Sequence, residues 1–142
     1  MAQNDFEDIV DNFELFDDWE ERYRYVIDLG RAMDALPEAE RTAAHKVDGC
    51  ASQVWLVPTV EGQGAEARLH FRGDSDAMIV RGLISILIAL YSGASVKAIS
   101  ESDAQAELAR LGLDEALSTQ RSNGLSAMVQ RLKDLARAAQ PA

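Results

Sequence analysis

The chain has 142 residues, the length of one ordinary domain, which can bury roughly two thirds of its unfolded surface. Its 14 Lys and Arg stand against 24 Asp and Glu, and the resulting net charge of −10 leaves no basic face for phosphate, so nucleic acid is not an expected partner. The single cysteine, Cys50, excludes an intrachain disulfide and any zinc or iron–sulfur site built on several thiolates of this chain.

Phe6, Ile9, Val10 and Phe13 recur at helical spacing among acidic residues and predict an amphipathic helix over 5–15. The segment before it, Met1-Ala2-Gln3-Asn4-Asp5, lacks a basic stretch followed by an apolar run. No secretory signal is expected there, and a cytoplasmic, reducing location would keep Cys50 a thiol. Asp17 and Asp18 followed by Glu20 and Glu21 form a capping pattern. The stripe Trp19, Tyr23, Val26, Ile27 and Met33 then predicts a second helix reaching about Leu36, with Pro37 ending it. Periodicity is lost over 37–52, which places Cys50, directly after Gly49, on a loop.

Residues 54–60 are rich in β-branched and aromatic side chains, and Pro58 sends this strand to a sheet edge or a bulge; Trp55 is expected in the core, anchoring it. Glu61-Gly62-Gln63-Gly64 predicts a hairpin connection, after which Ala67, Leu69 and Phe71 alternate with charged residues as a half-buried antiparallel strand. Gly73-Asp74-Ser75-Asp76 is expected to supply a turn and helix cap. Residues 77–91 carry Arg81 as their one charge. At 1.5 Å per residue they reach only about 22 Å against roughly 30 Å of bilayer hydrocarbon, so a buried helix is expected instead of a membrane span, with Gly82 allowing a close neighbour. Short helices over 96–100 and 103–111, the second closed by Gly112, precede a final stripe, Leu125, Met128, Val129, Leu132 and Leu135, entered through Ser122-Asn123-Gly124.

Helices, a small antiparallel sheet and then more helices indicate an α+β fold with the helices packed on one side of the sheet, in a single domain over residues 1–142. There is no Walker loop, dinucleotide-type glycine fingerprint or HExxH.

A lone cytosolic cysteine is ordinarily a small buried hydrophobe. Cys50 instead sits in Asp48-Gly49-Cys50-Ala51-Ser52-Gln53, where Gly49 frees the backbone and Ala51 leaves the sulfur accessible. A Cys–His hydrolase with His45 or His70 as base is a second reading. Such thiolates come from a helix N-terminus or a paired imidazolium, whereas a strand follows Cys50 and His70 falls on a charged strand face. A metal site of Cys50, His45, His70 and a carboxylate has no recognisable ligand spacing.

Val47-Asp48-Gly49-Cys50-Ala51-Ser52-Gln53-Val54-Trp55 resembles the V-x-G-C-x-S-x-V-W signature of the SufE/CsdE family, the sulfur acceptors of cysteine desulfurases. The blocks 73–83 and 117–125 and the segment Trp19-Glu20-Glu21-Arg22-Tyr23 extend the likeness in collinear order over nearly the whole chain. Departures are small: Val96 stands where the family often has proline, and the 61–64 hairpin is variable ground.

The resemblance implies a fold like that of the scaffold IscU. It also implies that Cys50 takes sulfane sulfur from the persulfide of a SufS/CsdA-type desulfurase, stimulates that enzyme and relays the sulfur to the Suf scaffold complex. It implies a relay protein without independent enzymatic activity, with no cofactor or metal of its own. The pyridoxal phosphate belongs to the partner; neither nucleic acid nor membrane is expected, and a homodimer is left open. One thiol suffices for such a relay, because a resolving cysteine would expel the sulfur as a disulfide formed. A thiol-independent adaptor is the alternative outside enzymology.

Around Cys50, Arg121 is a candidate for thiolate support or partner contact beside the plain reading of a solvated arginine near a helix start. Ser52 and Gln53 are candidates for hydrogen bonding around the loop. Asp74 is a candidate for support beside its capping role, and Asp48 is expected to face solvent. The thiol itself is expected to rest partly shielded against apolar side chains.

Overall fold

Side-chain alternation along two paired strands decides which face of the sheet is buried. The computed structural model describes residues 2–50 and 52–139, with side chains from Phe6 onward except at 65, 114 and 115. In chain order the main elements are α1 (Ala2–Leu15), α2 (Trp19–Ala32), β1 (Val54–Glu61), β2 (Arg68–Ser75), α3 (Met78–Tyr91), β3 (Ala94–Ser95), α4 (Val96–Glu101), α5 (Ala104–Ala109), α6 (Leu113–Ala116) and α7 (Thr119–Ala139). The strands form an antiparallel sheet in the order β1-β2-β3, with Leu56 opposite Gly73 and Val54 opposite Ser75. Val54, Leu56, Leu69 and Phe71 therefore share the buried face, while Arg68 and Arg72 point the other way. This is the predicted α+β arrangement, with Pro58 on the edge strand β1.

The long apolar run 78–91 becomes the central helix. Ile84, Ile86 and Leu87 of α3 are fully buried, and no helix among the described residues is long and apolar enough to cross a membrane. Close approach of α2 and α3 depends on glycine. A Cβ built on Gly82 would lie 2.1 Å from the Val26 carbonyl oxygen, and one on Gly30 would lie 2.7 Å from that of Met78. The sequence expectation of a near neighbour at Gly82 is met by α2.

Four expectations need correction. Helix α2 ends at Ala32, not Leu36, because Arg81 on α3 captures the carbonyls at its end: Nε donates to Gly30, in the last turn, at 3.0 Å and Nη2 donates to Met33, the capping residue beyond it. Strand β2 continues through Asp74 and Ser75, so Asp74 and Asp76 do not cap α3; the Ala77 N–H is taken by Ser75 Oγ at 3.2 Å. Helix α7 starts at Thr119, six residues before Leu125, with Ser118 Oγ accepting from the Arg121 N–H at 3.3 Å. Trp55 lies between inward-facing Val54 and Leu56, so alternation turns it to the outer face, where it is half-buried under the Arg41 guanidinium at 5.4 Å.

That outer face is crossed by residues 33–45, fastened by a buried carboxylate. Asp74 is fully buried. Its Oδ2 accepts from the Leu36 N–H at 2.9 Å and Arg41 Nη2 at 2.7 Å, and its Oδ1 accepts from the Ser75 N–H at 2.8 Å and Arg81 Nη1 at 2.6 Å. Burial alone would raise its pKa. The N–H bonds from Leu36 and Ser75, the Arg41 bond and the Arg81 charge outweigh that and hold the carboxyl below its ordinary value.

Candidate functional site

The loop bearing Cys50 is the tip of a hairpin whose first arm is barely a strand. The Val47 N–H donates to the Val54 carbonyl and the Leu56 N–H to the His45 carbonyl, each at 2.9 Å, and Lys46 forms an isolated bridge with Trp55. Between these arms the chain reverses through Gly49 at φ +91°, a left-handed value that glycine adopts without strain. Ala51, expected to leave the sulfur open, lies outside the described residues.

The turn lays Cys50 against α7. Its Sγ–H donates to the Gly124 carbonyl at 3.5 Å, and a Cβ on Gly124 would sit 3.7 Å from Sγ. Gly124 is therefore a mid-helix residue facing the thiol, not the helix entrance predicted from Ser122-Asn123-Gly124. A cavity of about 180 Å³ opens beside the sulfur. Val80 and Leu83 of α3 and Leu125 and Met128 of α7, all buried, form its apolar wall. Ser52, Ser118, Gln120 and Arg121 supply its polar lining.

Burial pushes the Cys50 thiol above its ordinary pKa, and the nearby Asp48 carboxylate pushes the same way. The resting sulfur is thus half-buried and protonated at neutral pH, a shielded thiol and not a preformed thiolate. Asp48 is exposed, as expected, yet close enough to oppose ionisation.

The other candidates separate into those near the thiol and those elsewhere. Ser52 and Arg121 line the cavity with Cys50. Arg121 also sits 5.9 Å over the Tyr23 ring, so a residue of α2 shares in holding it. Gln53 is exposed and pairs through its backbone with Asp76: its N–H donates to Oδ1 at 3.1 Å, and its carbonyl accepts from the Asp76 N–H at 3.3 Å. Asp74 does not line the cavity; it belongs to the arginine clasp across the sheet. His45 Nδ1 contacts the Glu40 carbonyl at 2.8 Å, and His70 Nε2 contacts Glu61 at 2.8 Å. Neither histidine lines the cavity, so the site holds no imidazole to act as base. Among the described residues no three His, Cys, Asp or Glu side chains cluster as metal ligands.

The sequence pattern does not tie Gly124 or the apolar wall to the thiol. The available signal was Gly124 inside the 117–125 block, with Leu125 and Met128 on the stripe that follows.

The SufE family model, described as "Fe-S metabolism associated domain", matches residues 7–136. A SufE-like protein of Rhizobium meliloti is 48% identical over 134 residues, covering 94% of this chain and 96% of the relative. A SufE-like protein of Rhizobium etli is 51% identical over 129 residues, covering 91% and 87% respectively. Among solved structures, a hypothetical protein from Thermus thermophilus superposes with a TM-score of 0.69 at 21% identity over 98% of both chains, a likeness of fold alone.

Proposed function

This chain belongs to the SufE family of domains associated with Fe–S metabolism, and from that premise we propose that Cys50 accepts sulfane sulfur from the persulfide of a cysteine desulfurase and relays it to the Suf scaffold complex. The observation that carries the reading is a single thiol, beside a left-handed glycine, resting in a cavity with one apolar wall and with no imidazole or metal-ligand cluster beside it among the described residues.

The step balances without an outside oxidant. The Cys50 thiolate attacks the outer sulfur of the partner's persulfide, a new S–S bond forms on Cys50, and the partner's S–S bond breaks with the electron pair leaving on its cysteine. The sulfane sulfur keeps its proton. No cofactor is assigned to this chain, since the pyridoxal phosphate that frees sulfur from free cysteine is the partner's.

The raised pKa of the resting thiol fits a protein idle when alone. Attack requires a thiolate, so docking must lift Cys50 away from the wall formed by Val80, Leu83, Leu125 and Met128. After transfer the same wall keeps water and oxidants from the persulfide. Ser52 and Arg121, which share the cavity, are the residues proposed to receive the incoming sulfur or its donor loop. Neither Gln53 nor Asp74 lines that cavity.

The reading favours a sulfur acceptor over a Cys–His hydrolase because both histidines are engaged elsewhere. Its test is the rate at which a SufS-type desulfurase forms alanine from cysteine. Adding the protein is expected to raise that rate several-fold by clearing the enzyme's persulfide, and an unchanged rate across a titration would contradict it.

A further inference from the structure

We propose that Arg131 is a positioning residue for Cys50, fixing the register of the cysteine hairpin along α7. The inference deepens the sulfur-carrier reading and takes its functional meaning from it, while its test reads the thiol alone.

In an antiparallel pair, successive backbone groups point alternately toward and away from the partner strand. The His45 carbonyl and Val47 N–H face β1 and are bonded there. The carbonyls of Ala44 and Lys46 are instead met by α7: Arg131 Nη2 donates to Ala44 at 2.6 Å and Nη1 donates to Lys46 at 3.4 Å. A planar guanidinium spanning these two carbonyls, one in the turn over 43–45 and one on the bridge residue Lys46, clamps the stem at one placement along α7. A slip of one residue would turn the Lys46 carbonyl in the strand-like arm away from the fork.

The same face of α7 meets the hairpin at three levels. Positions 124, 127 and 131 recur at spacings of three and four and lie above one another on the helix. Arg131 holds the stem. Ala127 abuts the reversal, where a Cβ on Gly49 would come within 3.2 Å of its own. Gly124 takes the thiol at the tip. At 1.5 Å per residue the first and last of these lie about 10 Å apart along the axis, so the stem contact determines which carbonyl the sulfur reaches. The tip alone offers one weak S–H bond and apolar contact, neither of which selects a register.

The experiment compares iodoacetamide alkylation of Cys50 in the folded full-length wild type, Arg131→Ala and Arg137→Ala as a function of pH. Arg137 is the control because it lies on the same helix and pairs in the open with Asp134, at 3.7 Å, away from the cysteine hairpin. In Arg131→Ala the rate at neutral pH is expected to rise about tenfold and its pH midpoint to fall toward that of an unburied thiol, with a thermal midpoint within a few degrees of wild type. A merely structural loss would lower the thermal midpoint without moving the midpoint of alkylation. An unchanged rate and midpoint, or an equal change in Arg137→Ala, would overturn the proposal. Should Arg131→Ala not fold, Arg131→Lys keeps the charge but not the fork; it is expected to shift rate and midpoint in the same direction by less, and no shift would overturn the proposal. Failure of wild type to accept sulfur from a desulfurase would remove the carrier reading and leave this result standing.

Discussion

Cys50→Ser is expected to give a folded protein that takes no sulfur and no longer accelerates a cysteine desulfurase. The thiol is half-buried and makes one weak bond, to the Gly124 carbonyl, which a serine hydroxyl can also make, so stability should change by no more than about 1 kcal/mol. Chemistry allows no such tolerance. A serine hydroxyl stays protonated at neutral pH, and its oxygen cannot hold sulfur as a persulfide, so transfer stops at its first bond-forming step. Alanine formation by the desulfurase, measured beside the thermal midpoint of the variant, separates the readings. Lost acceleration with an unchanged midpoint is expected; full acceleration by Cys50→Ser would mark a thiol-independent adaptor.

Asp74→Ala is expected to be strongly destabilising, costing about 3–5 kcal/mol, because it leaves Arg81 without its anion. The Arg81 side chain is only 13% exposed, so water cannot replace the lost carboxylate. The Leu36 and Ser75 N–H groups lose their acceptor in the same step. Urea unfolding at neutral pH measures the cost; a loss under about 1 kcal/mol would mean that the clasp is not a structural anchor.

The same clasp sets a pH dependence. Asp74 is held below its ordinary pKa in the folded protein, so its contribution is fully present above about pH 4, the unfolded value, and is lost as pH falls through the lower folded value. The stability difference between wild type and Asp74→Asn should therefore shrink as pH drops below about 4. A difference that stays constant down to about pH 2 would contradict this linkage.

Elements whose pattern is local were legible in the sequence. The apolar spacing of Phe6, Ile9, Val10 and Phe13 and the alternation of Leu69 and Phe71 state a helix and a strand without help from distant residues. The failures at α2, Asp74 and Gly124 involve long-range contacts; those at Trp55 and the start of α7 are local. Helix α2 looked longer because Gly30 and Met33 give their carbonyls to Arg81, some fifty residues on, which no periodicity records. Asp74 read as a cap because Gly73-Asp74-Ser75-Asp76 precedes an apolar helix and aspartate is a favoured N-cap; two arginines from elsewhere accompany its burial instead. Gly124 read as part of the entrance to the last helix, whereas it lies within α7 and its missing side chain makes room for Cys50.

The candidate site divides in the same way. Gly49 and the strand that follows placed Cys50 on a loop, and the structure places it there. The cavity wall comes from α3 and α7, remote from the loop and from each other in sequence, so neither Leu83 nor Met128 could be tied to the thiol beforehand. Arg121 was a sequence candidate for thiolate support or partner contact and does line the cavity; Arg131 was not a candidate.

The most direct measurement is the mass of the tryptic peptide spanning residues 47–68, which contains Cys50, after incubation with a desulfurase and free cysteine under non-reducing conditions. Addition of one sulfur atom, removed by dithiothreitol, is the predicted result. An unmodified peptide alongside a turning-over desulfurase would contradict the account.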